Sequence, residues 1–428
     1  MKAAAPRVLM VGTGAGGKGG IASAVEALRD AGLFEREGVV FIATHRDGTF
    51  GTRLGYALRG LGQTAALCLL RRPAIVHVHA ASGASFMRKS LVLALGRACG
   101  AQTVFHLHGG GFAQFATVRA GPLLRRWIRH TLEASNCVIA LSPAWAAFVR
   151  DVAPRAQVEV VPNAVPLPLP EIAAAAAEEP GTKTAAGSAA SDAARTAAST
   201  VASTVASDAA STVASDTAST AASDTASTAA SDTASEPDAH RILFLGRVEP
   251  AKGVGELLAA CALLAPRYPR LCLVLAGEGD LDWARRRAGA LGIGGQVEVP
   301  GWLDPHARAG QLARATLFCL PSWAEGVPMA MLEAMAAWRP VVVSAVGGML
   351  DVIRDGVDGV LVPPRDVAAL AAGLDRVLAD RVLRARLAQA ARARIEQDYS
   401  TDKVARRLAA IYARLTHDEA ELGMKEMQ

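Results

Sequence analysis

The sequence predicts an α/β protein of two Rossmann-like, doubly wound domains with an insertion of a different kind between them. Three observations predict it. Short apolar runs of strand length alternate with helix-period segments over residues 1–170, and again from 239 onward. Glycines stand where strands turn into helices in both halves, notably at 12–20, 246–253 and 321–326. Residues 171–238 depart from both patterns, being dominated by Ala, Ser, Thr and Asp. A chain of 428 residues is long enough for two such domains and a linker.

Composition narrows the function classes. Hydrophobic residues make up 51% of the chain, yet no apolar run approaches the ~18 residues a membrane span needs. The N-terminal apolar piece is short for a secretory signal, so a cytoplasmic protein is expected. Cys68, Cys99, Cys137, Cys261, Cys272 and Cys319 are scattered singly, which suits core thiols better than disulfides or zinc. The net charge of +5 hides an asymmetry: residues 1–170 hold 19 Lys and Arg against eight Asp and Glu. An anionic partner for the first half follows. With aromatics at 5% and no nucleic-acid motif, a membrane surface fits better than nucleic acid.

In the first half, residues 7–12 read as a strand, 12–20 as a glycine loop and 21–31 as a helix. Such a loop allows close backbone approach and offers helix N-terminal amides to phosphate. The G-x-G-x-x-G at 14–19 equally fits a dinucleotide fingerprint, but His45 and Arg46, not an acid, follow the second strand at 39–44. A helix at 54–70 leads to a strand at 74–78 beside His77 and His79. A helix at 86–98 then leads to the strand 103–107. His106 and His108 fall on one face by strand alternation, with no carboxylate or cysteine to complete a metal site. His108 stands at a strand's C-terminal end before three glycines, where α/β proteins place active groups. Residues 119–132 combine Leu123, Leu124, Trp127 and Ile128 with Arg125, Arg126, Arg129 and His130. This pattern fits a membrane-surface helix and a core-facing helix with a solvated basic face equally. Further strands are expected at 136–141 and 158–161.

Residues 171–238 repeat an eight-residue unit marked by Asp208, Asp216, Asp224 and Asp232. They offer little apolar surface to offset ordering entropy, so disorder is expected there. The second half opens with a strand at 241–246 followed by Arg247 and Lys252, two cations flanking a strand-to-helix turn where a diphosphate could be neutralised. Strands at 271–276, 297–300, 316–320 and 341–344 and helices at 366–379, 385–397 and 402–415 complete it. Glu325 and Glu333 have seven residues between them. A helix starting near Gly326 would put one carboxylate at its mouth and the other about two turns in. Two solvated glutamates on an amphipathic helix are the alternative.

Together these motifs resemble the retaining glycosyltransferases of family 4, which have the GT-B fold, in particular bacterial polysaccharide glycosyltransferases. The resemblance covers 1–170 and 239–416 and rests on Gly19-Gly20-Ile21, His108-Gly109, the 161–165 segment, Arg247 with Lys252, the 301–304 segment, and Glu325 with Glu333. It implies an acceptor-binding first domain, a nucleotide-sugar-binding second domain (239–400), and a last helix (from 401) crossing back to the first. By resemblance, His108 lies near the transferred sugar and Glu325 contacts it. Glu333 holds the ribose hydroxyls, and Arg247 and Lys252 hold the leaving diphosphate. Gly19 and Gly20 face the diphosphate and acceptor, and Gly326 and Val327 complete the donor contacts. The implied donor is a UDP- or GDP-sugar, and the acceptor is lipid-linked or a saccharide. The enzyme would sit peripherally on the anionic inner face of the cytoplasmic membrane. No Asp-x-Asp motif is present, so metal independence and no cofactor are expected. Asp351 stands where the family usually carries glutamate, which puts that contact in doubt. A nucleotide-sugar epimerase of the same fold, or an inactive nucleotide-sugar-binding homologue, are the rival readings.

Overall fold

The computed structural model describes residues 7–14, 19–46, 48–167 and 240–426, with side chains up to 417. The expected disorder over 171–238 and residues 15–18 of the first glycine loop, Lys18 included, lie outside the described residues.

Twelve described strands form two parallel sheets of six. The first contains β1 (Val8–Gly12), β2 (Val39–Ala43), β3 (Ile75–Ala80), β4 (Gln102–Leu107), β5 (Cys137–Ala140) and β6 (Val158–Val160), in the order β2-β1-β3-β4-β5-β6. The second contains β7 (Arg241–Leu245), β8 (Cys272–Ala276), β9 (Val297–Gly301), β10 (Leu317–Leu320), β11 (Val341–Ser344) and β12 (Val360–Val362), in the order β12-β11-β10-β7-β8-β9. The central strands are apolar at nearly every position because helices cover both faces; β1, β3, β7 and β10 are buried throughout. The strand order reverses between β1 and β3, and between β7 and β10. At such switch points the connections leave in opposite directions and open a crevice at the strands' C-terminal ends.

One face of the first sheet packs against helices Phe50–Arg71, Ala84–Ala98, Pro122–Glu133 and Pro143–Val152, through Val76, Val78, Phe86, Phe105 and Ile128. The other face is covered by Gly20–Asp30 and by the chain's last helix, Thr401–Glu426. That helix lays Val404, Ala405, Leu408, Ile411, Tyr412 and Leu415 against Val8, Met10, Ile75 and Ile139. A single larger core surrounds the second sheet.

The structure departs from the sequence reading in several places. The basic helix begins at Pro122, not at 119, because Gly121 is extended and proline suits a first helical position. The helix carrying Glu333 begins at Met329, since Pro328 holds Val327 out of helical conformation. Glu325 therefore lies in a loop ahead of the helix, not at its mouth. The helix after Gly347-Gly348 has only four residues, Met349–Val352, and offers no long helix terminus. Helices Pro143–Val152, Leu281–Ala290 and Pro305–Arg314 went unread, although Ser142, Asp280 and Asp304 cap them through their side chains. The short strand β12 was also missed.

Leu408 is fully buried between the last helix and the first sheet. Leu408→Ala should lower stability by about 2–5 kcal/mol, read as a lower urea midpoint with an unchanged m-value.

Candidate active site

The two switch points face each other across one cleft, and the loop after β10 supplies its centre. Pro321 closes the strand, and Ser322 and Glu325 fold back over it. The Glu325 carboxylate accepts from Lys252 Nζ at 2.5 Å and from Ser322 Oγ at 2.7 Å, both through Oε1. Lys252 arrives from the turn after β7, so the structure brings together two residues that are 73 apart in sequence. Gly110, from the loop after β4, reaches the same turn. A Cβ added there would lie 2.5 Å from the Glu325 carbonyl carbon and 2.7 Å from the Gly326 nitrogen. On the opposite side, Gly347 (φ +51°) and Gly348 leave no room for a Cβ against the Glu325 and Gly326 carbonyl oxygens. Glu325-Gly326 is thus gripped between backbones of both halves.

A pocket of about 290 Å³ at this point is lined by Gly20, His108, Asn163, Lys252, Glu325, Gly326 and Val327, among others. Beside it a cleft of about 950 Å³ takes in Gly19, Gly20, Arg247, Lys252, Trp302, Arg308 and Glu333. Every residue the sequence singled out for the site therefore lines one of these two spaces. Arg247 is the least fixed, being largely exposed and 3.4 Å from Glu249. Glu333 is nearly buried and 3.4 Å from Arg308, a partner the sequence reading did not name. Burial raises its carboxyl above the ordinary carboxylate range, and Arg308 opposes the shift.

His108 is the outermost of four stacked, buried histidines. Its Nε2 lies 2.8 Å from His79 Nδ1, and His106 packs against both. His77 completes the set, with Nδ1 2.6 Å from the Tyr412 hydroxyl and Nε2 3.3 Å from His106 Nδ1. Burial pushes His77 and His108 down to about 3, and His79 and His106 well below the usual value. All four are neutral at physiological pH. The ligating atoms of His77, His79 and His106 lie within 4.8 Å of one another. Both His77 nitrogens are engaged, however, which leaves that cluster only the Nε2 atoms of His79 and His106 without partners among the described residues. That is fewer than the three ligands a zinc site takes.

Two further contacts join the halves. Asn163 Nδ2 donates to the Val327 carbonyl at 2.9 Å, and Asp351 Oδ2 accepts from the Ala144 amide at 3.1 Å. Asp351 thus reaches the first turn of the Pro143–Val152 helix, where a carboxylate meets the positive end of the helix dipole. Neither pairing had a local sequence signal. In the Pro122–Glu133 helix, Ile128, Thr131 and Leu132 face the core, and Trp127 packs on Phe86. Arg125 and Arg129 each donate Nε to a main-chain carbonyl, of Ala120 and Val152. Leu123 and Arg126 point outward.

Two family models match the chain: "Glycosyltransferase Family 4" over residues 19–168 and "Glycosyl transferases group 1" over 228–394. Among curated proteins, the chain is 37% identical over 172 residues to a glycogen synthase of Mycobacterium tuberculosis, covering 40% of this chain and 42% of that protein. It is also 37% identical over 177 residues to the phosphatidyl-myo-inositol mannosyltransferase of the same organism, covering 40% and 46%. These matches span less than half the length of the relatives. Solved structures of like fold include a sucrose-phosphate synthase from Thermosynechococcus elongatus (TM-score 0.66, 19% identity, 96% of this chain and 100% of that one). Anabaena HepE in complex with UDP-glucose is another (TM-score 0.64, 16% identity, 95% and 99%). These likenesses confirm the GT-B architecture of two facing parallel sheets.

The buried histidines make a pH prediction. In the folded protein His77 and His108 stay neutral down to about pH 3, and burial holds His79 and His106 well below the usual value, whereas in the unfolded chain all four take up protons below about 6.5. The unfolded state then binds more protons, so stability is lost as pH falls from about 6.5. The loss approaches about 1.4 kcal/mol per pH unit for each histidine. Urea unfolding at pH 7 and 5.5 should show this slope, and His77→Gln should make it shallower.

Proposed function

Because the chain belongs to glycosyltransferase family 4, we propose that it transfers a sugar from a nucleoside-diphosphate sugar to an acceptor with retention at the anomeric carbon. The observation that carries this reading is the Lys252–Glu325 pair at the second sheet's switch point, wedged against the glycines after His108. Lys252 and Arg247 neutralise the diphosphate, with the start of the Gly20–Asp30 helix lining the same cleft. Glu333 accepts from the ribose hydroxyls. Glu325 and His108 orient the sugar, with Gly326 and Val327 closing its pocket.

As the acceptor hydroxyl attacks, the bond from the anomeric carbon to the diphosphate breaks and charge grows on the leaving group, where the cations act most strongly. Among the described residues, Glu325 is the one carboxylate lining the sugar pocket, and it is tied to Lys252 and Ser322. The departing diphosphate is therefore the base that receives the hydroxyl proton. The same lining disfavours an epimerase, which needs acid/base carboxylates on the first half.

We infer UDP or GDP as the nucleotide; the UDP bound to HepE, of like fold, supports the former. We also infer a lipid-linked acceptor in bacterial surface-polysaccharide synthesis, taken up at the inner face of the cytoplasmic membrane. The basic first half and the lipid named for the mannosyltransferase relative support this. No helix among the described residues is long and apolar enough to cross a membrane, so the association would be peripheral. Leu123, Arg126 and exposed Val118 offer an outward basic and apolar edge for it.

Titration with UDP-, GDP- and ADP-sugars should show binding and slow nucleotide release with the first or second, and exclusive use of an ADP-sugar would overturn the assignment. Lys252→Ala should reduce kcat/KM by an amount equivalent to about 1.5–3 kcal/mol, and wild-type kinetics would remove it from the site. In vesicle sedimentation, Leu123→Asp with Arg126→Glu should weaken binding to anionic vesicles; unchanged binding would put the membrane contact elsewhere.

A further inference from the structure

The 950 Å³ cleft is charged unevenly. Each of its cations from the second half stands beside a carboxylate: Arg247 beside Glu249, Lys252 beside Glu325, and Arg308 beside Glu333. Its cations from the first half, Arg46 and Arg53, have no ion pair among the described residues. Arg46 is nonetheless held in place. Its Nη1 donates to the Tyr56 hydroxyl at 2.9 Å, and its guanidinium lies 5.7 Å from that ring's centroid. An arginine fixed by a neutral partner keeps its full charge for something else.

A second observation lies under the same mouth. Lys89, only 2% exposed, reaches from its helix to the C-terminal ends of β1 and β2. There its Nζ meets the Gly12 carbonyl at 3.3 Å and the Thr44 hydroxyl. Burial pushes this amine down to about 7, and no carboxylate among the described residues pairs with it. Arg46 is two residues beyond Thr44, and Arg46 and Arg53 are the cleft's first-half cations that no carboxylate among the described residues answers.

A third observation adjoins the arginines. Phe50, Leu54 and Leu58 repeat at every fourth position along the Phe50–Arg71 helix, and all three are exposed, Phe50 by 82% and Leu58 by 61%. Helical geometry places them on one stripe, with Arg53 on its flank toward Tyr56. An apolar ridge beside a polar, cationic cleft is the shape of a site for an amphiphile.

We propose that the acceptor is a lipid bearing a phosphate, with the phosphate on Arg46 and Arg53 and the apolar chain along Phe50, Leu54 and Leu58. This rests on the transferase reading and adds the acceptor's charge and the place where it binds. The cations of the second half serve the leaving diphosphate, so the two anions occupy opposite walls. Neither displaces the other.

The test uses the full chain and calorimetric titration, with and without saturating UDP. The probes are dihexanoyl phosphatidic acid below its micellar concentration, dihexanoyl phosphatidylcholine, and glycerol 3-phosphate. Wild type should bind the phosphatidic acid with UDP present, and bind it at least tenfold tighter than the other two. Arg46→Gln with Arg53→Gln should weaken that binding at least tenfold. UDP affinity should stay within twofold, which also shows that the variant is folded. Leu54→Ser with Leu58→Ser should reduce phosphatidic acid binding while leaving glycerol 3-phosphate unchanged. Equal binding of phosphatidic acid by wild type and the arginine variant would overturn the proposal. Glycerol 3-phosphate binding as tightly as the lipid would overturn its lipid part. Failure of UDP to bind wild type would instead count against the donor reading, and the titrations without UDP would still decide the anion site.

Discussion

The site depends on one steric constraint: the peptide joining Glu325 to Gly326 is clamped between glycine backbones of both halves. Gly110 presses from the first sheet, and Gly347 and Gly348 from the second, at distances that no Cβ could occupy. The clamp fixes where the Glu325 carboxylate starts, and Lys252 and Ser322 fix where it ends. A carboxylate with so little freedom can orient a sugar without losing entropy on binding. The same approach brings His108 and Asn163 into the pocket wall, because Gly109 and Gly110 follow His108 directly.

Charge follows from this geometry. The second half's wall of the cleft pairs each of its cations with an acid, so their attraction for an anion is moderated. The histidines contribute no charge. Four imidazoles stacked in the core can be accommodated only as neutral rings, since desolvating an imidazolium there would be prohibitive. His108 therefore faces the pocket as a neutral, hydrogen-bonding ring rather than as a cation.

Most of the fold was legible in the sequence because it is written in local patterns. Buried parallel strands read as apolar runs, and glycines mark the turns that face the cleft. The helices that escaped notice were short, ten residues each, although their Ser142, Asp280 and Asp304 caps were visible. Within the site, the residue types at 108, 247, 252, 325 and 333 could be singled out by their places in motifs. What joins them could not. Lys252 with Glu325, Arg308 with Glu333, Asn163 with Val327 and His77 with Tyr412 are pairs made by folding, the last separated by 335 residues. The helix boundary at Met329 shows the opposite failure. Pro328 was a local signal, and weighing it would have moved Glu325 away from the helix mouth.

The Tyr412–His77 contact also bears on how the two halves act together. The last helix follows the second sheet in the chain, yet its apolar face completes the core of the first. Tyr412 then touches the histidine stack whose outer member lines the 290 Å³ pocket. Asp351 reaches across in the other direction, to the amide of Ala144. An aspartate is shorter than the glutamate expected there, and in this chain it serves a contact between the halves. Each half thus contributes a buried or capped group to the other, at points away from the clamp. Opening the cleft would have to break the contacts of Asp351 with Ala144 and of Asn163 with Val327, and to part Gly110 from Glu325-Gly326.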